Sequence, residues 1–413
     1  MPELSLRGQA LIDSPPMPEY ITEHFARSAR PWDPATCPAG YIGLCVAENK
    51  LDNASFIAQL SGVQPPPRVL GYDAMGGNLH FRDRLATFIG ARIMGRQCNA
   101  EDIVVLAGAG SVLEMLGYVL CDPGDGILIP TPSYAGFWPD FETRDGLHII
   151  PVDYSAANDF QLDTTELDRA LGAATVPVKA LLLTSPSNPL GCVYSRETLV
   201  GIIEWAEARG IHLIADEIYA LSVFGESDFT SVASVRPELG EAIHFVWAFS
   251  KDFGASGLRC GVLVSENRAV TGALESMAYW AACSTHTQHL LSEFIADEAR
   301  VDSALDSMRS NLREAYDRVT AALDMAQIRY VPAEAAFFLL CDLRTHLDAP
   351  TFEAEHRLWR RLLETANVNL TPGAACRINE PGFFRVCYAA ERGEAVVEAA
   401  ARIGRVLAGD KTP

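Results

Sequence analysis

At 413 residues the chain is nearly three times the ~150 residues of an average domain, so two packed domains are expected rather than one. Hydrophobic residues at 49% and charged residues at 21% exclude a disordered or low-complexity protein. A net charge of −20 repels phosphate backbones and anionic membrane surfaces, which excludes nucleic acid and membrane as main partners and mildly favours a cationic small molecule.

In chain order, the proline-rich start (Pro15, Pro16, Pro18, Pro31, Pro34, Pro38) reads as an irregular arm running to GYIGLCVAENKL at 40–51. Apolar spacing in LHFRDRLATFIGARIMG, from 79, predicts a helix, and IVVLA at 103–107 a short strand. Further strands are expected at 126–129, 147–152, 180–184, 211–215, 243–249 and 260–264, with helical stretches such as TLVGIIEWAEARG between them. That alternation implies right-handed crossovers and a seven-stranded, mainly parallel α/β sheet covered by helices. A long helical region over 286–326 leads to a smaller unit with strands near 337–343 and 383–389. The domains expected are an arm and part of the small domain at 1–55, a large cofactor-binding domain at 56–290, and a linking helix with a small α+β domain at 291–413.

The opening residues contain no apolar stretch of signal-peptide length and no run of about 18 apolar residues occurs, so a cytoplasmic location is expected. Ten cysteines without a C-x-x-C pair, several in strand-like runs, read as buried reduced thiols. His286 and His289 have metal-ligand spacing but no recognisable third ligand, so no metal is expected.

Open α/β sheets bind ligands at the carboxyl ends of their strands. There, GAGSVLEML after the first strand presents glycines and a serine at a helix start, which suits a phosphate and equally suits a plain tight turn. The strand at 180–184 runs into SPSNPLG with Asn188, and the strand at 211–215 delivers Asp216, Glu217 and Tyr219. A carboxylate ending a buried strand is costly unless a cation or donor faces it. Only four lysines occur among 33 basic residues, Lys50, Lys179, Lys251 and Lys411, and Lys251 alone follows a long apolar strand. Arg259 lies eight residues beyond it. Pyridoxal 5′-phosphate needs this set together: an amine to bind its aldehyde, an anion at its ring nitrogen, donors for its phenolic oxygen, and a helix N-terminus with an arginine for its phosphate. Trp138 and Phe137 read as pocket wall or as core.

PTPSYAGF (130–137), SPSNPLG (185–191), ADEIY (215–219) and SKDFGASGLRCG (250–261) resemble the fold type I pyridoxal-phosphate enzymes of the aminotransferase superfamily. VAENK (46–50), NLTPG (369–373) and EPGFFRVCYA (380–389) resemble 1-aminocyclopropane-1-carboxylate (ACC) synthases and their relatives. The resemblance implies that Lys251 holds the cofactor covalently, Asp216 pairs with its ring nitrogen, Asn188 and Tyr219 hold its phenolic oxygen, and Tyr134 stacks on the ring. Ala109, Gly110, Ser111, Ser250 and Arg259 would surround the phosphate, Tyr72 would cross a homodimer interface to the neighbouring phosphate, Arg385 would clamp the substrate carboxylate, and Ala47, Glu48 and Asn188 would lie beside the substrate.

Three departures qualify this pattern. Ala248 stands where relatives have a phosphate-binding serine, Met75 replaces a tyrosine usual in the synthases, and Gly110 and Leu113 replace the Thr and Asn of GATAANE. The reaction implied is attack on S-adenosylmethionine: loss of the Cα proton, release of methylthioadenosine, then ring closure or capture of the three-carbon fragment by an acceptor such as a pyridine nucleotide. An amino-acid aminotransferase is the alternative.

Overall fold

A computed structural model describes residues 3–409, so Lys411 and the outermost ends of the expected first and last domains lie outside it. Seven apolar runs form one sheet: β1 (Ile103–Leu106), β2 (Gly126–Thr131), β3 (His148–Asp153), β4 (Val178–Thr184), β5 (His212–Asp216), β6 (Ile243–Ala248) and β7 (Gly261–Ser265). Their spatial order is β1-β7-β6-β5-β4-β2-β3. Every residue of β1, β2, β6 and β7 is buried, because helices cover both faces. The sheet is parallel except at β7, which runs antiparallel to both neighbours. Between β6 and β7 the chain makes only the short Phe249–Asp252 helix and one 3-10 turn, too little for the crossover a parallel return requires.

The expected long helical region is two helices, Thr285–Ile295 and Glu298–Met325, separated where Asp297 caps the second by accepting from the Arg300 amide at 3.1 Å. Beyond them a second sheet of β8 (Arg329–Val331), β9 (Phe338–Asp342), β10 (Thr371–Pro372) and β11 (Phe383–Cys387) is antiparallel throughout, in the order β10-β11-β9-β8. The segment before the large sheet belongs to this second assembly. Ile42 and Gly43 pair in parallel with Val368 and Asn369, and the Cys387 amide donates to the Leu44 carbonyl at 2.8 Å.

The irregular arm expected at the start is corrected by two helices, Leu6–Asp13 and Glu19–Arg27. Prolines mark breaks by pattern, but Pro18 stands at the N-cap of the second helix, where a missing N–H costs nothing. Glu19 in its first turn and Arg27 in its last complement the helix dipole. All ten cysteines are free and seven of them are buried, as expected. Among the described residues no helix is long and apolar enough to cross a membrane, and no group of three or more His, Cys, Asp or Glu is placed to hold a metal ion.

The closest backbone approach in the large sheet is at Gly261, where a Cβ would stand 2.3 Å from the Gly108 carbonyl carbon and 2.5 Å from the Ala109 nitrogen. Gly261→Ala is therefore expected to lower stability in urea denaturation by about 1–3 kcal/mol, the usual range for overpacking. Gly257→Ala, with nothing within 4 Å, is the control and is expected to stay within about 0.5 kcal/mol of the parent.

Candidate active site

The C-terminal ends of the strands open on a cavity of about 310 Å³. Its wall contains nine of the expected residues: Ala109, Gly110, Tyr134, Asn188, Asp216, Tyr219, Ser250, Lys251 and Arg259. Chain segments up to 150 residues apart meet here because each strand delivers its last polar residue to the same edge.

Lys251 lies on the four-residue Phe249–Asp252 helix that follows β6. Its flanking residues are fixed from below. Phe249 packs on Trp247 with centroids 4.7 Å apart, and Phe253 packs on Phe294 at 5.2 Å. Asp252 accepts from Ser222 Oγ at 2.6 Å, Trp247 Nε1 at 2.8 Å and the Leu221 amide at 3.2 Å. With the backbone around it anchored, Lys251 reaches across so that its Nζ donates to the Ala47 carbonyl at 2.7 Å. Burial lowers its pKa to about 8.

At one end of the cavity the Ala109–Leu120 helix presents the free amides of its first turn. Gly108, at φ +95°, makes the turn into it, and a Cβ there would lie 2.4 Å from Arg259 Nη2. Arg259 spans this turn, donating from Nη2 to the Ala107 carbonyl at 3.0 Å and from Nη1 to the Ser256 carbonyl at 3.1 Å. Ser111 departs from expectation: its hydroxyl donates to the Ala107 carbonyl at 3.3 Å, the back-bonding typical of a serine inside a helix turn, and it does not line the cavity. Ala248 is fully buried within β6, paired with Gly261 of β7.

Asp216 ends β5 deep in the cavity with two long hydrogen bonds, from the Ile218 amide at 3.3 Å and Thr184 Oγ1 at 3.5 Å. Burial pushes its pKa up to about 7, against a smaller pull downward from those donors and Lys251. Asn188 is the bridge of the site. Its Nδ2 donates to the Tyr219 hydroxyl at 3.1 Å, and its Oδ1 accepts from Arg385 Nη1 at 3.0 Å. Arg385, on β11 of the second sheet and 1% exposed, also donates from Nη2 to the Cys45 carbonyl at 2.7 Å and to Thr371 Oγ1 at 3.1 Å. Its Nε is buried without a partner.

Tyr134 is 37% exposed and meets Phe137 edge-on at 5.3 Å, and a Cβ at Gly136 would collide with its ring. Phe137 and Trp138, left open between wall and core, are both buried, and Phe137 lines the cavity. Ala47 and Glu48 stand beside Lys251, with the Glu48 carboxylate paired to Lys50 at 3.1 Å. Tyr72 is 98% exposed and lies outside its own chain's cavity. Met75 is half-buried against the core, next to Gly76, whose carbonyl accepts from the Val105 amide of β1 at 2.8 Å.

Four lining residues, Asp140, Thr184, Ile218 and Ser256, escaped the sequence reading. Asp140, on the short Phe137–Glu142 helix, is pushed up to about 7 by burial, with Glu114 and Asp216 adding repulsion. In FWPDFE an acid reads as a solvated helix face, and no local pattern distinguishes it.

Comparison with known proteins decides the family. Residues 39–403 match the model for aminotransferases of class I and II. The chain belongs to that family. Its relatives include 1-aminocyclopropane-1-carboxylate synthase 6 of Arabidopsis thaliana, 35% identical over 90% of this chain and 79% of the relative. Synthase 4 of Oryza sativa subsp. japonica is 37% identical over 90% of this chain and 83% of its own length. Among solved structures, the aspartate aminotransferase of Thermus thermophilus with maleate superposes with a TM-score of 0.81 at 23% identity, covering 98% of this chain and 100% of that one. The fold is the fold type I aminotransferase fold, and the enzyme depends on pyridoxal phosphate.

The residues present fit that cofactor. A buried carboxylate with only two long hydrogen bonds is short of a partner, and a protonated ring nitrogen supplies one. The open first turn beside Arg259 suits a phosphate, and Lys251 supplies the amine. Asp216 can make the ion pair only when ionised, so cofactor affinity of the apo chain is expected to weaken as pH falls through about 7. In absorbance titrations Asp216→Asn is expected to bind roughly ten- to a hundredfold more weakly at pH 8, the worth of one charge-assisted bond, and to lose that part of the pH dependence. Matching wild-type and variant profiles would contradict this.

Proposed function

We propose that this chain acts on S-adenosylmethionine as an ACC synthase-like enzyme, removing the Cα proton and expelling methylthioadenosine from Cγ. The observation that carries the reading is the identity to ACC synthases of 35–37% over nine-tenths of the chain. The net charge of −20 favours approach of a sulfonium cation.

Bound pyridoxal phosphate supplies an electron sink conjugated to the substrate's Cα. Asp216 would hold a positive charge on its ring nitrogen, Asn188 and Tyr219 would donate to its phenolic oxygen, and Tyr134 would cover its face. The first turn at Ala109 and Gly110, with Ser250 and Arg259, would bind its phosphate. Arg385 would orient the substrate by its carboxylate, with Asn188, Ala47 and Glu48 alongside, so that the Cα–H bond faces Lys251. The Lys251 amine, with its pKa lowered to about 8, is a base matched to neutral pH and would take that proton on Nζ. A breaking Cγ–S bond of a sulfonium leaves a neutral thioether, so no acid is required at sulfur.

The three-carbon fragment then either closes to ACC or is captured by a second substrate. Met75, in place of the synthases' tyrosine, supports keeping both routes. The active unit would be a homodimer. Tyr72, Leu70, Tyr279 and Trp280 are large apolar side chains left exposed, and Tyr72 would reach the neighbouring phosphate site. Residues 56–290 would carry the cofactor, with the arm and the part after 291 closing over substrate.

Mass spectrometry of holoenzyme incubated with S-adenosylmethionine tests the reading. Methylthioadenosine release is expected, abolished in Lys251→Ala. ACC as co-product indicates ring closure, and vinylglycine or 2-oxobutyrate an enzyme awaiting an acceptor. No release, with conversion of the cofactor to its amine form by ordinary amino acids, would make it an aminotransferase.

A further inference from the structure

The only buried residue of the Glu19–Arg27 helix is Tyr20, 5% exposed, and its place is set by the residues that hold Arg385. Cys45 contacts both: its carbonyl accepts from Arg385 Nη2 at 2.7 Å, and its thiol lies 4.0 Å from the Tyr20 carbonyl. Asn369 Nδ2 donates to the Tyr20 carbonyl at 2.8 Å, two residues before the Thr371 hydroxyl that accepts from Arg385. The charged and polar groups that act on the Tyr20 phenol are Arg385, Cys376, Tyr134 and Cys45. Its hydroxyl makes no hydrogen bond to any described residue. Of these groups, Arg385 has its Nε buried without a partner. Arg385 Nε is thus a buried donor that calls for an acceptor, and the unpaired Tyr20 hydroxyl is within electrostatic reach of the same guanidinium.

The helix is strapped to the Phe352–Arg361 helix. Arg360 pairs with Glu23 at 2.9 Å and with Glu19, and His356 Nε2 lies 2.8 Å from Glu19. The same partner helix carries Glu355, which accepts from the Ala374 and Gly382 amides at 2.8 and 2.7 Å and so fixes the loop leading into β11. Tyr20 and Arg385 are thus held by one assembly, although 365 residues separate them in sequence.

We propose that Tyr20 is a second recognition group for the substrate's α-carboxylate, its hydroxyl donating to the oxygen that Arg385 leaves free, and that the ion pairs of the N-terminal helix hold it there. This rests on the reading that the substrate is an α-amino acid and extends it to a residue outside the family motifs quoted above.

The test is absorbance titration of holoenzyme, wild type and Tyr20→Phe, with two pairs of probes: L-methionine and 3-(methylthio)propylamine, then S-adenosylmethionine and its decarboxylated form. Phenylalanine keeps the ring in its pocket, so folding is preserved. Loss of the hydroxyl is expected to weaken binding of each acid by about tenfold and leave each amine unchanged. Arg360→Gln, remote from the cavity, is expected to weaken acid binding in the same direction. Equal weakening of acid and amine, or no change in either, would overturn the proposal. If S-adenosylmethionine fails to bind wild type while L-methionine binds, the proposed reaction falls and the methionine pair still judges Tyr20.

Discussion

A guanidinium sealed from solvent without an anion is the constraint on which the arrangement turns. Arg385 is 1% exposed, and its three hydrogen bonds go to neutral acceptors, Asn188 Oδ1, the Cys45 carbonyl and Thr371 Oγ1. The Phe338 ring, 5.6 Å from the guanidinium carbon, adds only a weak electrostatic contribution. Among the described residues it forms no ion pair. A buried cation so placed is under-compensated, and the binding of a carboxylate relieves it. Because Arg385 belongs to the second sheet and Asn188 follows β4 of the first, whatever binds the cation also ties the two sheets together.

The other charges of the cavity obey the same logic. Burial moves Lys251 toward its neutral form and Asp216 toward its protonated form. A cationic ring nitrogen beside Asp216 would hold that carboxylate ionised, Lys251 would offer its amine to an aldehyde, and the first turn at Ala109 with Arg259 would take a phosphate. Each group is positioned by something rigid: Lys251 by the aromatic packing of Phe249 and Phe253, Asp216 by its place at the end of a buried strand, and Arg259 by a turn that only Gly108 permits.

Much of this was legible in the sequence, for identifiable reasons. Strands buried on both faces read as unbroken apolar runs, and the residue after such a run is at the cavity edge, which is how Asp216 and Lys251 stand out. Direction was less legible: β7 looks like its neighbours, and only the short span from Ala248 to Gly261 betrays its antiparallel course. Local polarity misled at the start of the chain, where prolines mask the Glu19–Arg27 helix, and at Ser111, whose hydroxyl turns back to Ala107. Asp140 and Tyr20 could not be found at all by pattern, since each acquires its role from partners far away in sequence.

Ligand-induced stabilisation reports the under-compensated charge at Arg385. In thermal unfolding of the holoenzyme, saturating L-methionine is predicted to raise the wild-type midpoint by several degrees through preferential binding to the folded state. The rise should vanish in Arg385→Gln. An equal rise in both proteins would mean that the carboxylate is held elsewhere and that the Arg385 charge is already compensated.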